Sequence, residues 1–496
     1  MPIVNGLLPL KRFNGNPDTA IAVASVAVAV QSITSLFIPN VFINGTMYIY
    51  VPLLLIALLL NSVGKLMIIT RTYRNFSYLK RPYPKFAGKI LKDAKATKEM
   101  SEELLTTKNL IGYTKRVKFM KNFLQLSYMP DPSERAASKA APVTTAVALL
   151  CGIMYGVINK DLAGAVSSFA LTACMGVPII CLLAVNIPLG RLCKSVLKGG
   201  AMITSYETVK QFCDTTAIVV DSSQLYPKGS VTLSGMKAFN QGKLNDAILA
   251  GAAIMYAVNG NMTHVFENIV QCRKEALPEV ENVLYEDEKG LVGWVRGQRI
   301  LIGNRKLLVS HNIRVPSIEL EERYTNMGND ITYISVGGEL IAMFILSYKT
   351  DRSIARELRN LEQNGVNLIV RTVDANITKE KIAKRFGLFY RCISILPTHL
   401  GNTYQDMTSE PDESARAYLA TRGKLSSFAK AVSGCIRIRA KATIVSLLQY
   451  VGIVIGMILI TLISFVSGFE MLGFFEILIF IGFWAITSVI VTVIKK

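Results

Sequence analysis

The chain alternates between uninterrupted apolar stretches and long, strongly basic ones. Six stretches, at about 19–38, 46–69, 141–158, 162–187, 443–466 and 473–494, are long and apolar enough to cross a hydrocarbon core of about 30 Å. They pair as three hairpins around short connections at 39–45, 159–161 and 467–472. Between the first two hairpins lie the basic residues 71–140, whose pattern reads as mostly helical and includes Lys95-Ala-Thr-Lys-Glu-Met-Ser-Glu-Glu-Leu-Leu105. A polar block, 189–441, separates the second hairpin from the last.

Within that block the apolar period changes. Thr216-Ala-Ile-Val-Val-Asp221 is a β-branched run that ends in one carboxylate and then breaks into polar and turn residues. A buried parallel strand delivers an acid to the edge of an α/β sheet in this way, and ligands gather at such strand ends. A helix at 244–258, a Gly-rich β stretch at 289–304 and strands at about 331–336 and 340–347 follow, then a helix at 351–363. A second buried strand, Val366-Asn-Leu-Ile-Val-Arg-Thr-Val-Asp374, again ends in an acid; a helix capped by Asn376 or Thr378 and a short strand at 391–396 come after it. Two parallel strands ending in carboxylates around a β-rich insertion predict a split Rossmann-like domain.

A hydrophobic fraction of 51% excludes a wholly soluble enzyme. The first span lacks a strongly basic leader and a small-residue cleavage site, so it reads as a retained helix rather than a signal peptide. The net charge of +20 suggests nucleic acid at first sight, but its distribution gives another reason for it. Basic residues crowd into 71–140, 189–441 and both termini, while the short connections carry only Lys160. By the positive-inside rule both termini and both large loops are cytoplasmic, which an even number of spans permits. No aromatic interleaving supports a nucleic-acid partner; the basic run 71–121 reads as a solvated face beside anionic headgroups of the lipid bilayer. The eight cysteines form no Cys-x-x-Cys pair, and in a reducing cytoplasm a disulfide framework is not expected.

On the fourth stretch Cys174, Pro178 and Cys181 stand at i, i+4 and i+7 and would share one helical face. Thiols beside proline-freed carbonyls suit a soft ion such as copper(I) or zinc; the alternative is single membrane cysteines beside a tolerated kink.

This order of parts resembles the P-type ATPases, in detail their heavy-metal-transporting branch. In that family a Pro-containing core helix leads to the phosphorylated Asp of Asp-Lys-Thr-Gly-Thr-Leu-Thr-x-Gly, a nucleotide-binding domain is inserted, and the phosphorylation domain resumes before a final hairpin. By that resemblance Asp221 falls on the phosphorylated Asp and Gly229 on the closing glycine, with Ser222, Ser223, Gln224 and Leu225 in place of Lys-Thr-Gly-Thr. The branch's Ser-Glu-His-Pro looks like Asn261-Met-Thr-His264-Val. Its Gly-x-Gly and Gly-Asn look like Glu288-Lys-Gly290 and Gly303-Asn304, and its Thr-Gly-Asp looks like Thr372-Val373-Asp374. Gly-Asp-Gly-x-Asn-Asp is not found between Leu396 and Lys441, nor Thr-Gly-Glu in 71–140, and Cys-Pro-Cys is replaced by Cys174-Met-Gly-Val-Pro178.

The resemblance implies a bundle of about six transmembrane helices and a cytoplasmic α/β (HAD/Rossmann-like) phosphorylation domain carrying an inserted α+β nucleotide-binding domain. It divides the chain into a first hairpin (1–70), a reduced actuator-like segment (71–140), a second hairpin (141–188), phosphorylation-like parts (189–236 and 346–441) around a nucleotide-binding-like insertion (237–345), and a last hairpin (442–496). The implied activity is ATP-driven heavy-metal cation translocation through an aspartyl-phosphate in a bacterial plasma membrane. Asp221, Thr372 and Asp374 would be catalytic, His264, Gly290, Gly303 and Asn304 would hold ATP with Mg²⁺, and Cys174 and Cys181 would meet the metal. Each has a plainer reading: Asp221 as a strand-terminal acid capping an amide or meeting a lysine, His264 as a helix histidine, and the Gly and Asn residues as turn chemistry. Phosphoryl transfer rests on placed cations, so losing the lysine and the magnesium-binding acids predicts impaired turnover. A non-enzymatic pseudo-ATPase acting as nucleotide sensor or docking subunit is the alternative.

Overall fold

The computed structural model describes residues 2–10, 14–102, 110–178, 181–271, 275, 277–466 and 468–493, without the side chains of residues 2, 181, 182, 492 and 493. Among these, Thr19–Phe37, Val51–Leu79, Pro132–Asn159, Leu425–Val466 and Phe474–Val493 are helices long and apolar enough to span a bilayer. The stretch expected as one span at 162–187 is broken. Its first helix, Leu162–Met175, ends at Gly176, and a second, Cys181–Gly199, starts beyond Pro178, whose ring and missing N–H prevent the ladder from continuing. Five continuous spans and one interrupted crossing therefore stand where about six were expected. Cys174 and Cys181 lie on different helices and share no helical face.

The bundle packs through small residues. Ala20, Ala24 and Ala27 of the first span and Ala163 and Ala170 of the interrupted one are buried in one cluster, where missing bulk lets backbones approach. Gln31 donates to Ser167 Oγ at 3.1 Å, and Lys65 pairs with Asp18 at 2.7 Å, joining the first two spans near the cytoplasmic face.

The cytoplasmic strands are β1 (Lys85–Ile90), β2 (Ile111–Lys121), β3 (Ala201–Ile203), β4 (Ala217–Asp221), β5 (Val231–Ala238), β6 (Val280–Glu286), β7 (Gly290–Val295), β8 (Gln298–Gly303), β9 (Asp330–Val336), β10 (Glu339–Tyr348), β11 (Asn367–Arg371), β12 (Ile393–Ile395), β13 (Asp412–Arg416) and β14 (Leu419–Thr421). They form two sheets. One runs β12-β11-β4-β2-β1-β14-β3, with β13 also paired to β2, and β12, β11, β4 and β2 are mutually parallel where they meet. The other, antiparallel, runs β5-β10-β9-β8-β7-β6 and is built wholly from the insertion between β4 and β11.

Residues 71–140, whose charge pattern reads as mostly helical, instead supply β1 and β2 to the main sheet beside β4. Helices that match the expectation are Ala94–Met100, capped by Asp93, the short Phe123–Ser127, and the ends of the flanking helices Val51–Leu79 and Pro132–Asn159; residues 103–109 are outside the described set. The lysines that mask the strand pattern are matched across the sheet: Asp412 on β13 pairs with Lys115 at 2.7 Å and also with Lys89. The helix Leu425–Val466 has 42 residues, so it is about 63 Å long and carries the cytoplasmic core into the membrane without interruption.

Candidate functional site

Strand β4 places Asp221 where the sequence pattern puts it. Ala217, Ile218, Val219 and Val220 are all at most 2% exposed between β11 and β2, so the carboxylate at the strand's end is the first group to reach the sheet edge. The chain turns there into the short helix Ser222–Leu225, and Asp221 Oδ1 accepts from Ser223 N at 2.9 Å. Directly opposite in register on β11 stands Arg371. Its Nη1 donates to Asp221 Oδ2 at 2.7 Å, and its Nη2 donates to Gln405 on the helix Thr398–Ser409. Both oxygens of Asp221 are thus engaged, one by an amide and one by a guanidinium of the same sheet.

Arg371 was not among the residues singled out from the sequence. Each residue closes a buried five-residue strand, but only the pairing of the two strands brings the opposite charges into register.

Asp374 lies beyond β11, 2% exposed. Its Oδ2 accepts from Tyr348 Oη at 2.6 Å and its Oδ1 from Asn376 N at 2.9 Å, while its own N–H donates to Thr372 Oγ1 at 3.0 Å. Burial pushes the Asp374 carboxyl above the usual range, against the pull of these hydrogen bonds and of Lys381. The structure therefore gathers Thr372 and Asp374 into one loop but turns Asp374 toward Tyr348 of β10.

The proposed nucleotide residues divide in two. Gly290 and Gly303 are directly paired across β7 and β8: a Cβ on Gly290, whose φ is +144°, would lie 2.3 Å from Ile302 O, and one on Gly303 would lie 2.2 Å from Lys289 O. Asn304 caps the helix Arg305–Ser310 and donates to Glu288 O at 2.7 Å, closing the same turn. His264 stands apart on the helix Thr263–Ile269, which packs by β5; its Nδ1 meets Glu267 at 3.2 Å, and this hydrogen bond holds Glu267 below the usual carboxylate range.

Polar contacts fasten the inserted sheet to the main one. Asp330 on β9 pairs with Lys381 at 2.7 Å and with Arg385, and Asn376 Nδ2 donates to Thr332 Oγ1 at 2.7 Å. Thr398 N and Oγ1 donate to Asp287 at 3.0 and 2.6 Å. Beside Asp221, Ser222 Oγ donates to Asn261 Oδ1 at 3.0 Å and Asn261 Nδ2 returns a bond to Ser222 O at 3.1 Å.

In the membrane, Cys174 is buried at the end of Leu162–Met175 and lines a narrow cavity of about 40 Å³ with Met175, Gln449, Phe480 and Trp484. Among the described residues no three His, Cys, Asp or Glu side chains group as a metal site, and the side chain of Cys181 is outside that set.

Fold and site together define an integral membrane protein: a helical bundle continuous with a split α/β domain, an acid at the end of strand β4, and a second sheet inserted between β4 and β11. No family model matches the chain. It is 23% identical over 274 residues to a silver-exporting P-type ATPase of Salmonella typhimurium, covering 54% of this chain and 33% of that one. It is 26% identical over 267 residues to a copper-exporting P-type ATPase of Legionella pneumophila, covering 52% and 35%. The matched region thus spans about a third of the length of these curated relatives. A crystal structure of a zinc-transporting PIB-type ATPase in the E2.Pi state aligns over 99% of this chain and 92% of that chain, with 12% identity and a TM-score of 0.47. The chain is thus similar, over about half of its length, to heavy-metal-exporting P-type ATPases.

Proposed function

We propose that the chain is a cation-translocation ATPase relative whose aspartyl-phosphate cycle is impaired. The observation that carries this is the Asp221–Arg371 pair. A carboxylate attacks a γ-phosphoryl group through a free lone pair, in a site where Mg²⁺ and mobile cations neutralise the incoming phosphates. Here one oxygen is held by Ser223 N and the other by Arg371, which is itself fixed by Gln405. Each oxygen keeps a second lone pair, but an ion pair withdraws charge from the attacking carboxylate, and a guanidinium directed at the nucleophile is not directed at the phosphate. ATP with Mg²⁺ remains the implied ligand of the inserted domain, and a soft cation such as copper(I) or zinc the implied cargo, with Cys174 and Met175 supplying sulfur beside the helix break.

The test is acid-stable labelling of the purified full chain by ATP carrying a labelled γ-phosphate. Labelling at less than about one hundredth of the rate of an intact site is expected, the order of effect from losing one electrostatic partner, so that no stoichiometric phosphoenzyme forms within seconds. Stoichiometric label that disappears in Asp221→Asn would overturn the reading.

A second reading, a nucleotide-sensing or docking subunit, is favoured by the contacts that fasten the inserted sheet beside Asp221 and Asp374, since a cycling enzyme needs that insertion to move. Isothermal titration of the full chain in detergent with ATP separates its two versions: heat at millimolar nucleotide supports sensing, and its absence leaves docking.

A further inference from the structure

A groove of about 340 Å³ runs between the helices Val51–Leu79 and Cys181–Gly199, outside the Asp221 site and away from Cys174. One wall carries Val63, Leu66, Met67, Thr70 and Arg74, a stripe at i+3 and i+4 spacing; the other carries Ile187, Gly190, Arg191 and Lys194. Arg71 also lines it, is 7% exposed, and keeps a buried Nε with no hydrogen-bond partner, although its Nη1 donates to Asn186. Among the described residues no carboxylate lines the groove, although Arg71 also faces the adjoining cavity that holds Asp131 and Glu134.

The direction of the two helices gives the groove a polarity. Both run toward the cytoplasm, so Val63, Leu66, Met67 and Ile187 lie at bilayer depth while Arg71, Arg74, Arg191 and Lys194 lie further along. Counting about 1.5 Å per residue from Val51, a core of about 30 Å ends near Arg71. Four cations at the inner headgroup level, above an apolar channel open to lipid, match an anionic amphiphile and nothing smaller: a free phosphate would leave the channel unfilled. The positive-inside bias accounts for basic residues at this depth, but not for the convergence of Arg74, Arg191 and Lys194 from two helices on one cavity.

We propose that this groove binds one anionic diacyl phospholipid of the inner leaflet, with its phosphate between Arg71, Arg74, Arg191 and Lys194 and an acyl chain along Leu66 and Ile187. A Cβ added at Gly190 meets nothing within 4 Å, so a side chain grown from it starts in the open space of the groove.

Native mass spectrometry of the delipidated full chain in neutral detergent tests this with three probes: phosphatidylglycerol, phosphatidylcholine of the same acyl chains, and inorganic phosphate. One phosphatidylglycerol per chain is expected to bind more tightly than phosphatidylcholine and to resist displacement by millimolar phosphate. The triple variant Arg74→Gln, Arg191→Gln, Lys194→Gln should weaken that binding by about a hundredfold, three charges acting at the surface together. Gly190→Phe should abolish it with every charge retained. Equal retention of the two lipids overturns the proposal, as does displacement by phosphate alone, which would mark an anion site. Unchanged binding in Gly190→Phe overturns it too. The comparison of probes on the unaltered chain needs no variant to fold.

Discussion

Asp374 is a buried acid held by a phenol, and its cost depends on pH. Burial raises its folded value above the unfolded carboxylate value of about 4, so the fold binds this proton more tightly than the unfolded chain does. Its contribution favours the fold below about pH 4 and is lost as pH rises from there through the raised folded value. Asp374→Asn should therefore flatten the dependence of thermal stability on pH in that window. Burial, and then the Asp374 charge, hold the Tyr348 phenol well above its usual range, so it remains a donor throughout. Tyr348→Phe removes that donor and should cost about 1–3 kcal/mol at neutral pH, read by the same melts. Asp221 differs: its partner is a cation in register, so Arg371→Ala leaves a half-buried carboxylate beside a strand end, with a loss of about 1 kcal/mol in chemical denaturation. From the sequence both acids look alike, as ends of apolar runs. Their partners come from residues 26 and 150 positions away, and no local pattern could separate them.

At the scale of elements, the two-glycine crossing of β7 and β8 is a packing requirement. Gly303→Ala must push a Cβ against the Lys289 carbonyl and should destabilise the inserted sheet by about 1–3 kcal/mol. Gly235→Ala on β5 is the control, because its Cβ meets only Ile345 Cδ1 at 3.4 Å; it should be neutral within about 0.5 kcal/mol in guanidinium unfolding. Elements with strong local signals were legible: the helix Leu244–Val258, strands β9 and β10, and the helix Lys379–Phe386, for which Thr378 rather than Asn376 is the cap. β1 and β2 were not. Lysines lie along both strands, and although β1 and β2 pair with each other, the partners that place them in the main sheet, β4, β13 and β14, follow much later in the chain.

For the molecule as a whole, charge distribution orients the chain and the long Leu425–Val466 helix couples its two halves. A cysteine placed at exposed Asn159 should react with a membrane-impermeant maleimide from outside sealed right-side-out vesicles, and one at exposed Met327 only after permeabilisation. The reverse pattern would invert the topology. The sequence by itself determined the membrane class, the sidedness, and the strand that delivers Asp221, because hydrophobic length, basic bias and β-branched runs are local properties of the chain. Only the tertiary structure decided that the helix breaks between Cys174 and Cys181, that residues 71–140 add strands to the sheet, and that Arg371 pairs with Asp221. Each of these depends on which distant segments pack together, and burial and register arise only once they do.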